Sequence, residues 1–261
     1  MKTFFCLLFL TLTVQAQEML VLPNVAHRGH SAAAPENTLA AIRQAVKSGA
    51  DGCEMDIYLS ADGVAFLMHD HKLTRYTGEA IPCNSLSFAE LRKRDVGTWK
   101  EEAFRGEKIP SFEEALLALK GTACRPVIEI KQPGAEDEVL KCLRRENMVE
   151  TSVLIAFNAG ICKKVRAAEP KLCVAWLCSK GKEESEADYI ARIEKTLADI
   201  GTHAVDMEWH GVTPTLVDTL HSKGIAVWCW TVDGEKDMKA LKAMGVDSIT
   251  TNRPDVLKGL K

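Results

Sequence analysis

The chain has 261 residues, 46% of them hydrophobic and 26% charged. That is the makeup of an ordinary folded protein, with enough apolar surface for one large domain, and it excludes a disordered chain. Thirty-three Lys and Arg against 36 Asp and Glu give a net charge of −3. No basic excess is present to hold a phosphate polymer, so a nucleic-acid partner is not expected.

The chain opens with Lys2 and an almost unbroken apolar run over residues 4–14. The run falls short of the roughly 20 residues a bilayer span needs. Val14-Gln15-Ala16 then supplies small-residue cleavage chemistry, so residues 1–16 read as a secretory signal peptide cut after Ala16. The expected product, residues 17–261, is exported and soluble, periplasmic or secreted. Cys6 has no small residue just before it, which disfavours a lipid anchor, and no later segment is apolar enough to anchor the chain in a membrane. Cys53, Cys124, Cys173 and Cys229 lie in or beside apolar runs. There a thiol behaves as a small buried hydrophobe, so mostly reduced core cysteines are expected, with room for one or two bridges.

In chain order, Val- and Ile-rich runs at 21–26, 52–59, 126–130, 152–157, 173–177, 204–208, 225–231 and 248–251 predict strands. Several are apolar on both faces, as strands of a parallel sheet should be. Between them, amphipathic stretches at 38–47, 112–119, 136–146, 159–168, 184–199, 214–222, 235–243 and 254–259 predict helices. Ser111 with Glu114 forms a capping box ahead of the second of these. Strict alternation of eight and eight predicts a (β/α)8 TIM barrel over 17–261, with a doubly wound open sheet as the alternative. One segment breaks the rhythm. Residues 64–68 form another strand-like run only four residues beyond the second strand, too close for a crossover helix, so the pair must be an antiparallel hairpin. Residues of about 61–110 therefore read as a small insertion between the second strand and the second helix. Counting outward from an Ala61-Asp62 turn places Glu54 near His69.

The chemistry sits at the ends of these strands. Side chains alternate along a strand, so Glu54 and Asp56 face the same way. Two inward carboxylates repel unless a cation lies between them, and all-oxygen ligation suits Ca²⁺ or Mg²⁺ rather than Zn²⁺. Glu129, in Val127-Ile128-Glu129-Ile130-Lys131, adds a third carboxylate to an apolar strand, with Lys131 on the same face. His27 ends the first strand and His69 ends the hairpin strand. Two histidines that converge on a carboxylate cluster suit general acid and base work. Arg28 and Lys131 supply positive charge for an anionic group, and the implied reaction is metal-assisted hydrolysis of a phosphate ester. Asp206-Met207-Glu208-Trp209-His210 ends the sixth barrel strand with charge and bulk, which reads either as a loop entrance or as a specificity wall.

The residues Ala26-His27-Arg28-Gly29, Pro35-Glu36-Asn37-Thr38, Glu54-Met55-Asp56, His69-Asp70, Leu73-Thr74-Arg75, Glu129-Ile130-Lys131, Phe157-Asn158, Trp230-Thr231-Val232 and Thr251-Asn252-Arg253-Pro254 occur in one order over most of the chain. In this set the sequence resembles the glycerophosphodiester phosphodiesterases. The resemblance implies a TIM barrel with a small insertion and one divalent cation on Glu54, Asp56 and Glu129. It also implies His27 and His69 as the acid–base pair, Arg28 and Lys131 on the phosphate, and Trp230 against substrate carbons. Glu36 and Asn37 would brace the first loop. The implied reaction hydrolyses a glycerophosphodiester to glycerol 3-phosphate and an alcohol, through attack by water or by the neighbouring glycerol hydroxyl. Tyr76 stands where family members often carry Thr. Two other readings fit the same barrel: a lysophospholipid or sphingomyelin phosphodiesterase, and a non-catalytic phosphodiester-binding protein.

Overall fold

Nine strands and the helices between them are seen in the computed structural model, which describes residues 21–260. The expected signal peptide lies outside the described residues. The strands are β1 (Asn24–Ala26), β2 (Gly52–Leu59), β3 (Ala65–Leu67), β4 (Arg125–Ile130), β5 (Val153–Ala156), β6 (Cys173–Cys178), β7 (Ala204–Glu208), β8 (Ala226–Trp230) and β9 (Ser248–Thr251). All except β3 run parallel in the order β1-β2-β4-β5-β6-β7-β8-β9, and β9 pairs back onto β1. The ring is therefore closed, which excludes the open sheet and gives the (β/α)8 barrel.

Alternation along the strands builds two apolar layers. Val25, Val127, Val153, Ile155, Ala175, Leu177, Ala204 and Trp228 fill the barrel interior. Cys53, Met55, Ile57, Ile128, Val205, Met207 and Cys229 point outward and pack beneath the helices. Eight cysteines are buried among the described residues, and none forms a disulfide. The capping box at Ser111 and Glu114 opens helix Phe112–Leu119 as expected. The helix expected at 184–199 starts two residues later, at Glu186, because Ser185 caps it by accepting from the Asp188 amide at 3.1 Å.

β3 folds antiparallel onto β2, but one residue away from the register counted from the sequence. Ser60 N donates to Val64 O, and Gly63 takes a positive φ of 82°, so the turn is centred on Asp62. A three-residue loop with glycine in the left-handed conformation is a common hairpin connection. Tyr58 pairs with Phe66, and Met68 N donates to Asp56 O at 3.0 Å, so His69 lies opposite Met55 rather than Glu54. β3 and the segment beyond it share an apolar cluster of Phe66, Met68, Leu73, Tyr76, Cys83, Leu91, Val96 and Ile109. That cluster holds the loop after His69 against the mouth of the barrel.

Candidate active site

At the C-terminal end of the barrel, Glu54 and Asp56 from β2 turn inward, and the parallel register sets Asp56 beside Glu129 of β4. One oxygen from each of the three lies within 4.8 Å of the others. All three are buried. Burial, then the charges of Asp56 and Glu129, pushes the Glu54 carboxyl well above the ordinary range. Burial and the Asp56 charge raise Glu129 to about 7. Burial also works against ionisation of Asp56, but Lys131 and Arg28 outweigh it and hold that carboxyl low. Oε1 of Glu54 is buried with no hydrogen-bond partner. A crowded, oxygen-only donor set with an orphaned acceptor is an arrangement that a Mg²⁺ or Ca²⁺ ion satisfies, so these residues fit a divalent cation.

Two cations already lean on the cluster. Lys131 Nζ lies 2.8 Å from Glu129 Oε1 and 3.4 Å from Asp56 Oδ1. Arg28 Nε lies 3.4 Å from Asp56 Oδ2, and its backbone N–H donates to Glu54 Oε2 at 2.8 Å. The turn that achieves this needs Arg28 at φ 55° and Gly29 at φ 77°. A Cβ on Gly29 would sit 2.6 Å from the Ala41 backbone, so glycine is required there. Asn37 completes the frame: its Nδ2 donates to Asp56 Oδ2 at 2.7 Å, and its Oδ1 accepts from the Asp56 amide at 3.1 Å.

Both histidines are anchored through Nδ1. His27 Nδ1 lies 2.8 Å from Asn252 Oδ1, and Asn252 Nδ2 donates to Asp233 Oδ2 at 2.6 Å. Burial, reinforced by the Arg28 charge, pulls His27 down to about 4. His69 Nδ1 lies 2.7 Å from Asp70 Oδ1, and Asp70 in turn accepts from Arg75 Nε at 2.8 Å. Arg75 also donates to both oxygens of Glu36, which accepts from Arg28 Nη1 at 2.8 Å and Tyr76 Oη at 2.9 Å. Burial opposes ionisation of Glu36, but hydrogen bonds from Arg75 and Arg28 hold it at about 2. A continuous chain, Arg28–Glu36–Arg75–Asp70–His69, thus ties the loop after β1 to the loop after β3.

These groups share one cavity of about 170 Å³, lined by His27, Arg28, Glu54, His69, Glu129 and Lys131 on one side. Ile155, Phe157, Leu177, Asp206, Trp230 and Thr250 line the other side. Phe157 meets Trp230 edge-on, with ring centroids 5.5 Å apart. Larger clefts, at the opposite end of the barrel and against the insertion, hold none of the carboxylate–histidine cluster.

The model of the glycerophosphoryl diester phosphodiesterase family matches residues 27–256. The chain belongs to this family. A glycerophosphodiester phosphodiesterase of Caldanaerobacter subterraneus subsp. tengcongensis is 31% identical over 241 residues, spanning 90% of this chain and 96% of its own. A phosphodiesterase from Oleispira antarctica, solved in complex with the product sn-glycerol-3-phosphate, aligns with a TM-score of 0.82 at 25% identity, covering 91% of this chain and 96% of that one. A glycerophosphodiester phosphodiesterase structure from Parabacteroides distasonis aligns with a TM-score of 0.74 at 26% identity.

In this member of the glycerophosphodiester phosphodiesterase family, the cavity gathers His27, Arg28, Glu54, His69, Glu129, Lys131 and Trp230, and Asp56 lies buried behind Lys131 and Arg28. Glu208 and His210 bond each other, and Trp209 stacks on His210, so of the charged end of β7 only Asp206 lines the cavity. Trp176 is buried, and its indole Nε1 donates to Phe157 O at 3.1 Å. Sequence reading assigned no role to Asn252, Asp233, Asp70 or Arg75. Asn252, Asp70 and Arg75 stood inside the family motifs; the contacts of Asn252 with His27 and of Arg75 with Glu36 join residues far apart in the chain, whereas Asp70 bonds the nearby His69 and Arg75. Asp206 gave a signal as an acid in an apolar strand.

Proposed function

We propose that this protein hydrolyses glycerophosphodiesters to glycerol 3-phosphate and an alcohol. The observation that carries the reading is the convergence of three crowded carboxylates, two Nδ1-anchored histidines and two cations on one small cavity. A divalent cation held by Glu54, Asp56 and Glu129 would supply positive charge for a phosphate oxygen. Arg28 and Lys131 bind the other phosphate oxygens and stabilise the negative charge that grows on them. His27, neutral and with Nε2 unprotonated, accepts the proton of the attacking oxygen, whether that of water or of the neighbouring glycerol hydroxyl; in the second case water then opens the cyclic phosphate, with His69 taking the water proton and His27 returning its own to the glycerol oxygen. Asp70, kept ionised by Arg75, accepts from Nδ1 of His69, so the proton that His69 passes to the departing alkoxide sits on Nε2. Trp230 and Phe157 offer an apolar wall to substrate carbons.

Cavity size supports a small diester over a lipid. The volume falls below the roughly 300–1,000 Å³ of sites for drug-sized ligands, and Phe157 is the one large exposed hydrophobic side chain at its rim among the described residues. Export forms part of the same proposal and rests on the N-terminal sequence. It predicts a mature protein beginning at Gln17, which N-terminal sequencing of the exported chain checks.

The test is release of glycerol 3-phosphate from glycerophosphocholine, measured beside release of phosphocholine or lysophosphatidate from lysophosphatidylcholine. Metal-dependent glycerol 3-phosphate release, lost in Glu54→Gln and His27→Ala, supports the reading. Turnover of the lipid alone sends the reading to the lysophospholipid class. Metal-dependent binding without any turnover makes the protein a binder.

A further inference from the structure

Asp206 is the one acid on the far wall of the cavity, and none of the chemistry above uses it. In the ring of eight strands, β7 lies four places from β2, directly across the barrel from Glu54 and Asp56. Val205 and Met207 pack outward beneath the helices, while Ala204 fills the barrel interior. Asp206 shares that inward face and lines the cavity beside Ile155, Leu177, Trp230 and Thr250. The residue is only 1% exposed, and its Oδ1 meets no hydrogen-bond donor. Its register partner Trp228 likewise has an indole N–H with no partner, so the two neighbours do not satisfy each other. A buried carboxyl with an unpaired oxygen is costly, the more so with the Glu129 charge close enough to act on it, and an aliphatic residue would pack there without that cost. A ligand hydroxyl would supply the missing donor.

We infer that Asp206 recognises the terminal hydroxyl of the substrate's glycerol unit and so selects a polyol-bearing phosphodiester. The inference rests on the phosphodiesterase reading above. A phosphate held between Arg28, Lys131 and the carboxylate cluster directs one substituent across the cavity toward β7 and the other toward the open mouth. Asp206 is buried in the wall opposite the carboxylate cluster, where a part common to every substrate fits best. Leaving alcohols of different size need the open side. Trp230 stands beside Asp206, its Nε1 donating to Asp206 O at 3.3 Å, so apolar wall and acceptor meet the two faces of a short polyol together.

The experiment compares glycerophosphocholine and glycerophosphoethanolamine with the choline phosphodiester of propane-1,2-diol, which keeps the neighbouring hydroxyl and lacks only the terminal one. The wild-type protein should favour glycerophosphocholine over the deoxy compound by at least about tenfold in kcat/KM, because the deoxy compound leaves a buried acceptor unpaired. Asp206→Leu should bring the two within about twofold of each other and penalise glycerophosphocholine and glycerophosphoethanolamine equally. Asp206→Ala, smaller and without an acceptor, should likewise narrow the preference and guards against a Leu variant that fails to fold. No wild-type preference, or an undiminished preference in a folded variant, overturns the inference. So does a penalty on the choline and ethanolamine diesters that spares glycerophosphoglycerol, because Asp206 would then read a cationic alcohol. Wild-type turnover of none of these compounds overturns the phosphodiesterase reading itself.

Discussion

Nδ1 of His27 and Oδ1 of Asn252 lie 2.8 Å apart, joining the end of β1 to the end of β9. The Asn252 amide is fixed by its own donation to Asp233, and its oxygen also accepts from Ser31 Oγ at 2.6 Å. That oxygen can only accept, so Nδ1 of His27 is the donor and Nε2 carries the lone pair. Asn252→Ala should therefore lower kcat by about tenfold to a hundredfold, part of the 10²–10⁴ that a positioned acid or base contributes. KM and the melting temperature should change little. Steady-state kinetics and a thermal melt separate this from a structural defect, which would lower both stability and kcat.

The pH profile carries a second signature of the same histidine. With its pKa lowered to about 4, His27 stays neutral as pH falls through 6.5 and becomes protonated only near 4. The acid limb of kcat/KM that belongs to His27, recorded at saturating metal, should then lie well below 6.5. A limb at the ordinary histidine value would contradict the assignment of His27 as the buried base.

Metal binding should release protons. Without metal, Glu129 is raised to about 7 and so carries a proton at pH 6, and burial shifts Glu54 in the same direction. Ligation needs the carboxylates, so affinity should climb as pH rises toward and just above 7. Calorimetric titration in two buffers of different ionisation heat measures the protons released. Glu54→Gln should weaken binding severely, because it replaces a charged ligand whose Oε1 has no other partner.

Glu36 ties Arg28 to Arg75, and its depressed pKa of about 2 fixes the direction of its pH effect. Its stabilisation is fully present above the unfolded-state value near 4.5 and is lost as pH falls from there through 2. Glu36→Gln should lower the melting temperature most at pH 6 to 7, and the gap from the wild type should close as pH drops below 4. The variant should also lower kcat, because it loosens Arg28 and also Arg75, which supports His69 through Asp70. Melts across pH 3 to 7 check the first claim.

Strand alternation made the barrel legible in the sequence, because burial on both faces leaves an apolar run that the helices interrupt. Glu54, Asp56 and Glu129 stood out for the complementary reason: acids in such runs need a partner. Less legible was anything fixed by tertiary contact. Asn252 supports His27 across 225 positions, and Arg75 reaches Glu36 across 39, distances that no local pattern encodes. The hairpin register slipped by one because a Gly63 in the left-handed conformation recentres a turn whose composition also allows an Ala61-Asp62 centre. Asp206 showed itself as an acid in a strand, yet only closure of the ring set it opposite the carboxylate cluster.

The reaction proposed for this site cleaves the ester bond between phosphate and the leaving alcohol and keeps phosphate on glycerol. Phosphorus NMR of glycerophosphocholine turnover, with the chelated protein and after addition of Mg²⁺ or Ca²⁺, tests it most directly. The expected result is no change with the chelated protein and, after metal addition, a glycerol 3-phosphate phosphorus resonance, with free choline growing in step in the proton spectrum of the same sample. Appearance of phosphocholine and glycerol instead, or turnover that ignores chelation, would contradict it.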